Sequence, residues 1–239
     1  MAYILGFISA DGSITGGYSL TIMLHKKDIE VLQFMISEIC PQIPIRELRE
    51  KYVKISFNSI AMINSLQKYN VVPNKSKIIN FDFDIPNKYF GDYLRGVFDG
   101  DGCVMCRNNT IESTFASGSL KFLQALRKRA GNIGYISKQS SRKETWICYR
   151  WAMSKTDTLK LRDMMYPSNG FALSRKKNKF FSDFYIPSDR WWTKEQIAYL
   201  RKHFQSRTPG TLDLIAKELG KSYKSVNCKA SRLGLRAIA

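Results

Sequence analysis

Ile4-Leu5-Gly6-Phe7-Ile8-Ser9-Ala10-Asp11-Gly12 returns later in the chain as Leu94-Arg95-Gly96-Val97-Phe98-Asp99-Gly100-Asp101-Gly102, with Asp11 and Asp101 setting an offset of 90 residues. Two copies of one nonapeptide point to a duplicated unit. In each copy small residues stand four apart, Gly6 with Ala10 and Gly96 with Gly100, so they share one helix face. Small side chains there let two helix backbones approach closely. The pattern predicts a pseudo-symmetric pair of packed helices. Each ends at a glycine, Gly12 or Gly102, expected to take the left-handed conformation of a helix C-cap.

The sequel to each nonapeptide is repeated too. Leu20, Ile22 and Leu24 alternate with Ser19, Thr21 and Met23, the period of a half-buried strand over Tyr18–Leu24. Ile29, Leu32, Ile36 and Ile39 then recur at helical spacing between Lys27 and Ile39, before a strand over Tyr52–Phe57 and a helix over Ile60–Tyr69. The second copy gives a strand over Thr110–Ala116, a helix over Leu120–Ala130, strands over Ile133–Gln139 and Thr145–Met153, and helices over Thr156–Met164 and Ser174–Phe184. Turn-rich Asp82–Asn87 and Ile186–Asp189 separate the pieces. The expected domains are residues 1–85, 86–187 and 190–239.

Of 239 residues, 38 are Lys or Arg against 20 Asp or Glu, a net charge of +18. Such a balance favours a polyphosphate partner through counterion release. No run of about 18 apolar residues is present to span a bilayer, and the N-terminus lacks the layout of a signal peptide. The chain reads as soluble and intracellular, with no membrane partner. Its five cysteines are scattered and odd in number, which disfavours a disulfide framework. Cys103 and Cys106 form a lone C-x-x-C pair, and without a second pair they read as strand residues rather than zinc ligands.

Asp11 and Asp101 fall at the C-terminal ends of the paired helices, where the macrodipole disfavours negative charge. Two carboxylates brought together there repel unless a cation bridges them, and oxygen ligands suit Mg²⁺. Asp99 lies two residues before Asp101, about 200° around the helix, and is not counted as a ligand.

The paired nonapeptides resemble the signatures of single-chain LAGLIDADG homing endonucleases, and the likeness runs over about residues 1–187. The resemblance implies an α+β fold of two pseudo-symmetric αββαββα halves whose sheets form a DNA-binding saddle. It implies a site-specific, metal-dependent double-strand endonuclease encoded in a mobile intron. The implied metal site is Asp11 and Asp101 with Gly12 and Gly102 beside them, for Mg²⁺ with Mn²⁺ as a substitute. Lys75 and Lys176 match the family's late basic residues, with Lys177 as the alternative to Lys176. The partner would be double-stranded DNA with a long, nearly non-palindromic target, and the protein a monomer.

DNA contacts in that family come from the open faces of the sheets, which here nominates Ser19, Thr21, Met23, Tyr52, Lys54 and Ser56 in the first half. The second half offers Met105, Arg107, Glu112, Thr114, Lys138 and Arg150. A non-catalytic DNA-binding regulator on the same fold and an RNA maturase are the alternatives; retention of both aspartates favours the enzyme over the regulator.

Residues 190–239 have no counterpart in the repeat and carry eleven basic residues against three acidic ones, a net +8. Helices are expected over Trp192–Phe204, opened by the capping-box pair Thr193 and Gln196, over Thr211–Leu219, and over Ser222–Leu233. This three-helix pattern resembles Myb/SANT-like helix-turn-helix domains. The third helix would then meet DNA through Lys221, Lys224, Asn227, Lys229 and Arg232.

Overall fold

The computed structural model describes residues 1–48, 50–107, 110–140, 147–167, 170–181, 192–204 and 210–235. The chain divides into two compact units, Met1–Ser182 and Asp183–Ala239.

Helix α1 (Ala2–Asp11) runs straight into β1 (Gly12–Thr15), which pairs with β2 (Ser19–His25). A 3-10 turn at Lys26–Asp28 leads into α2 (Ile29–Ile39), then β3 (Arg46–Leu48), β4 (Tyr52–Asn58) and α3 (Ile60–Gln67). The second half repeats the order with α4 (Asn87–Asp101), β5 (Gly102–Arg107), β6 (Thr110–Ser117), α5 (Leu120–Arg129), β7 (Tyr135–Ser140), β8 (Ile147–Met153), α6 (Lys155–Met165) and α7 (Ser174–Phe181). The strand orders are equivalent, β1-β2-β4-β3 and β5-β6-β8-β7, and all pairings are antiparallel. Thr145 and residues 182–184, expected at the ends of a strand and a helix, lie outside the described residues, as does the expected linker at 186–189.

Alternation decides the faces. Leu20, Ile22, Val53, Ile55 and Phe57 are buried on one side of the first sheet, and Val104, Ile111, Phe115 and Trp151 on the matching side of the second. The helices of this unit cover these sides, and among the described residues the other side of the first sheet carries exposed Met23 and Tyr52.

The helix pair is the seam between the halves. A Cβ on Gly6 would run into the Tyr93 carbonyl oxygen, and one on Gly96 into the Tyr3 carbonyl oxygen, a reciprocal pair related by the 90-residue offset. A Cβ on Gly100 would stand 2.5 Å from that of Ala10. The small-residue spacing therefore does pack one backbone onto the other.

The two terminal glycines correct the expectation of left-handed caps. Gly12 (φ −72°, ψ 138°) and Gly102 (φ −90°, ψ 156°) are extended, and each donates its N–H to the carbonyl four residues back, Ile8 or Phe98. Glycine is needed there for space: a Cβ on Gly12 would lie 2.6 Å from the Ile8 oxygen, and one on Gly102 would strike Phe98. The chain leaves each helix directly as a strand, without the reversal a left-handed cap produces.

The second unit holds α8 (Lys194–His203), α9 (Thr211–Glu218) and α10 (Tyr223–Arg232) around Leu200, Phe204, Ile215, Ala216, Val226 and Ala230. The Thr193–Gln196 capping box forms in both directions. Gly220 (φ +59°) and Gly234 (φ +67°) are left-handed, the conformation in which a helix C-cap favours glycine. No helix among the described residues is long and apolar enough to cross a membrane.

Candidate active site and open sheet faces

The site grows from the last turn of the helix pair. Asp11 ends α1 and Asp101 ends α4. Because Gly100 has no side chain, the Asp11 carboxylate can lie over the opposing helix; a Cβ at Gly100 would be 3.3 Å from Asp11 Oδ2. Loss of water around its carboxyl raises the Asp11 pKa, against the pull of Lys176 and Lys75. Asp101 keeps an exposed edge. The dense protein around its carboxylate, and then the charge of Asp11, still push its pKa up to about 6.

Both predicted lysines arrive here and both are buried, at 6% exposure for Lys75 and 4% for Lys176. A left-handed Asn74 (φ 56°) opens the 3-10 turn Lys75–Lys77, and Lys75 Nζ donates to the Ala10 carbonyl at 3.0 Å. Lys176 Nζ donates to the carbonyls of Phe98 (2.8 Å), Asp99 (2.7 Å) and Gly100 (3.3 Å). Each lysine thus caps the carbonyl end of its own half's motif helix, placing a cation where the dipole favours one. Burial lowers both lysine pKa values, that of Lys176 to about 8, while the neighbouring aspartates oppose the fall. Of the adjacent pair, Lys176 is the one turned inward; Lys177 is half-buried.

Behind the site the halves differ. Asp99 is 3% exposed and accepts from Tyr3 Oη and from the Leu173 N–H, both at 2.8 Å. Burial pushes its pKa up to about 6. At the equivalent place Ser9 accepts from Tyr93 Oη at 3.1 Å and donates to the Leu5 carbonyl. Asp99 faces into the protein, as its helical angle requires, and does not join Asp101. Arg95, 1% exposed, is held by the carbonyls of Phe171 and Met165 and by Asp92. Arg95, Tyr3 and Tyr93 were not among the residues nominated from sequence; a basic residue at the motif position where the first copy has Leu5 is the signal that singles out Arg95.

Residues 91–163 match the model of a LAGLIDADG-like domain. No curated protein matches the chain by sequence. Among solved structures, the chain is similar to the LAGLIDADG meganuclease I-AabMI bound to uncleaved DNA, with 15% identity, coverage of 84% of this chain and 96% of that one, and a TM-score of 0.50. It is similar to the I-SmaMI LAGLIDADG homing endonuclease bound to cleaved DNA, with 13% identity, coverage of 91% and 94%, and a TM-score of 0.50. This is the LAGLIDADG fold.

On the open face of the first LAGLIDADG sheet, register places Ser19, Thr21 and Met23 of β2 beside Asn58, Ser56 and Lys54 of β4, with Tyr52 opposite His25. All six residues nominated there share that face, and Thr21 and Ser56 hydroxyls meet at 3.0 Å. Ser13, Thr15 and Arg46 lie in the same rows but were missed, because β1 and β3 are too short to show a period.

The second sheet agrees less well. Met105 and Glu112 pair on the open face, and Arg107 pairs with Thr110 there, its side chain lying outside the described residues. Arg150 shares this face opposite Ala116 and Ser137. Thr114 has the right parity but is only 8% exposed, so it offers little to a partner. Lys138 is a correction: it pairs with Tyr149 and shares parity with Ile136 and Trp151, the helix side, although it is exposed at the sheet's end. Ser137 and Gln139 hold the open positions.

In the second unit Lys224, Asn227 and Arg232 are exposed on α10 and Lys229 is half-buried. Lys221, before the helix, is buried at 8% exposure.

Proposed function

We propose that this chain is a site-specific double-strand DNA endonuclease that works with a divalent metal, and that residues 192–235 add a Myb/SANT-like helix-turn-helix module for DNA. The observation that carries the reading is the pair Asp11 and Asp101 at the foot of the helix pair, flanked by two buried lysines.

The donor set fits Mg²⁺. No group of three His, Cys, Asp or Glu side chains capable of holding a metal occurs among the described residues, and Mg²⁺ needs none, since it commonly takes one or two carboxylates and completes its shell with water and substrate phosphate. Asp101, whose pKa is raised first by burial and then by the charge of Asp11, is the kind of ligand whose ionised form a cation would stabilise. When bound, such an ion supplies Lewis-acid stabilisation of phosphoryl oxygens and acidifies water.

The chain's own residues do the rest. Asp11 and Asp101 would hold the ion, beside which the scissile phosphate would bind. Lys176 directs its three N–H groups at three carbonyls, the full donor capacity of an ammonium. It therefore acts on the phosphate through charge rather than by a hydrogen bond. Lys75 has one such carbonyl bond and keeps donor capacity for a phosphate oxygen or water. The polar open faces of the two sheets fit base edges and phosphates on either side.

Selection of cut sequences from a randomised duplex library with Mg²⁺ tests the reading. Asp11→Asn or Asp101→Asn is expected to slow cutting of the selected site by roughly 10²–10³-fold, the size of losing one stabiliser of transition-state charge, with DNA binding retained in a gel-shift assay. Wild-type rates in both variants would refute the assignment. Tight binding without cutting by the unaltered protein would make it a DNA-binding protein instead.

A further inference from the structure

Leu173, Ser174 and Arg175, the three residues before Lys176, are each held by a different carboxylate. The Leu173 N–H donates to Asp99 Oδ2 at 2.8 Å. Ser174 gives its N–H and its hydroxyl to the two oxygens of Glu30, both at 2.7 Å. Arg175 grips Asp28 with Nε and Nη2 at 2.5 and 2.7 Å, the bidentate geometry that makes arginine–carboxylate pairs directional. Asp28 and Glu30 belong to the first half, at the start of α2, whereas α7 belongs to the second. Packing runs the same way: Leu173 lies in the core of the first half, and Phe171 stacks on Phe34 with centroids 4.1 Å apart. The first lysine has no such arrangement, since Val72, Pro73 and Asn74 receive no carboxylate hydrogen bond among the described residues.

We propose that Asp28 and Glu30 form a clasp across the two halves that, with Asp99 holding Leu173 from within the second half, positions Lys176, so that one strand's cleavage depends on the docking of the halves and the other's does not. This rests on the endonuclease reading for its catalytic consequence, but not for the clasp itself. Burial works against ionisation of Asp28, yet the hydrogen bonds and charge of Arg175 hold its carboxyl below the ordinary range. The pair therefore stays charged wherever the protein is folded at neutral pH. These are positioning residues: Asp28 and Glu30 act on the reaction only through α7.

Breaking the clasp from either side should give the same result. Full-length Asp28→Asn/Glu30→Gln and Arg175→Gln are compared with wild type by two readouts, after melting curves show both folded. The first is acetylation of Lys176 by acetic anhydride without DNA, read by mass spectrometry with Lys177 as internal reference. The second is the single-turnover rate of each strand on pre-bound DNA. In both variants Lys176 labelling should rise about tenfold or more relative to Lys177, and one strand should slow about ten- to a hundredfold, the cost of misplacing a catalytic group by about an ångström. A nicked intermediate then accumulates at unchanged DNA affinity. Adding Arg175→Gln to Asp28→Asn/Glu30→Gln should add nothing, because the Asp28 partner of Arg175 is already lost. Unchanged labelling overturns the clasp; raised labelling with both strands slowed equally, or neither slowed, overturns its strand-specific role. If the wild type cuts no duplex, the endonuclease reading falls and the labelling alone decides the clasp.

Discussion

Asp101 is destabilised by its own charge, and that has a measurable sign. Its folded pKa, about 6, lies above the ordinary value of 3.8. The folded state therefore binds the proton more tightly than the unfolded chain, an advantage fully present below pH 4 and lost as pH rises through 6. A shift of about two units is nominally about 3 kcal/mol. Asp101 is exposed, and solvent screening reduces that to about 1 kcal/mol. Asp101→Asn should melt about 2–4 °C above wild type at pH 8, with the gap closing between pH 6 and pH 4. Millimolar Mg²⁺ should raise the wild-type Tm and leave the variant's unchanged, because only the two-carboxylate site gains from the ion. Equal melting at pH 8, or an equal response to Mg²⁺, would mean that the carboxylates do not share a strained site. Neither measurement needs DNA or cleavage.

The helix pair shows what a linear sequence reveals and what it hides. Gly6, Ala10, Gly96 and Gly100 were legible because the face of a helix is a local property with a fixed period. Gly96→Ala would press a methyl into the Tyr3 carbonyl. Backbone cannot move aside as a flexible side chain can, so a loss of about 3 kcal/mol is expected, read as a lower Tm with separation of the halves. Gly17→Ala is the control: nothing lies within 4 Å of its Cβ and only the left-handed φ of +73° is strained, at about 1 kcal/mol. Similar losses in both would deny the close-contact role. Other features were not local. Gly12 and Gly102 carry the sequence mark of a left-handed cap, but a strand continues the exit of each helix, so the constraint was space instead of φ. Lys138 was assigned to the wrong face because its side is set by pairing with Tyr149 across a connection whose length the sequence does not fix. Arg175 and Asp28 stand 147 residues apart, and no pattern of period 2 or 3.6 reports on such a pair.

The whole chain joins a unit that has candidate chemistry to one that has only charge. Met1–Ser182 holds both aspartates and both buried lysines; residues 190–239 carry a net +8 and three acids that no described structure gathers into a site. The α8–α10 unit has its own apolar core, as the first half of the larger unit does, so each unit should fold without the other. A chain ending at Pro187 should then melt cooperatively near the full-length temperature and still cut the selected site. It should bind that site more weakly and protect a shorter footprint, because Lys224, Asn227, Lys229 and Arg232 of α10 are gone. Its affinity should also depend less steeply on salt, since each lost phosphate contact removes about 0.9 from the slope of log K against log[salt]. Titrating both forms from low to physiological salt separates two readings of the module. If it contacts DNA through three or four phosphates, the slopes differ by about 3. If it docks on a protein, slopes and footprints coincide while cutting is unaffected, and the DNA-binding assignment of the C-terminal unit fails.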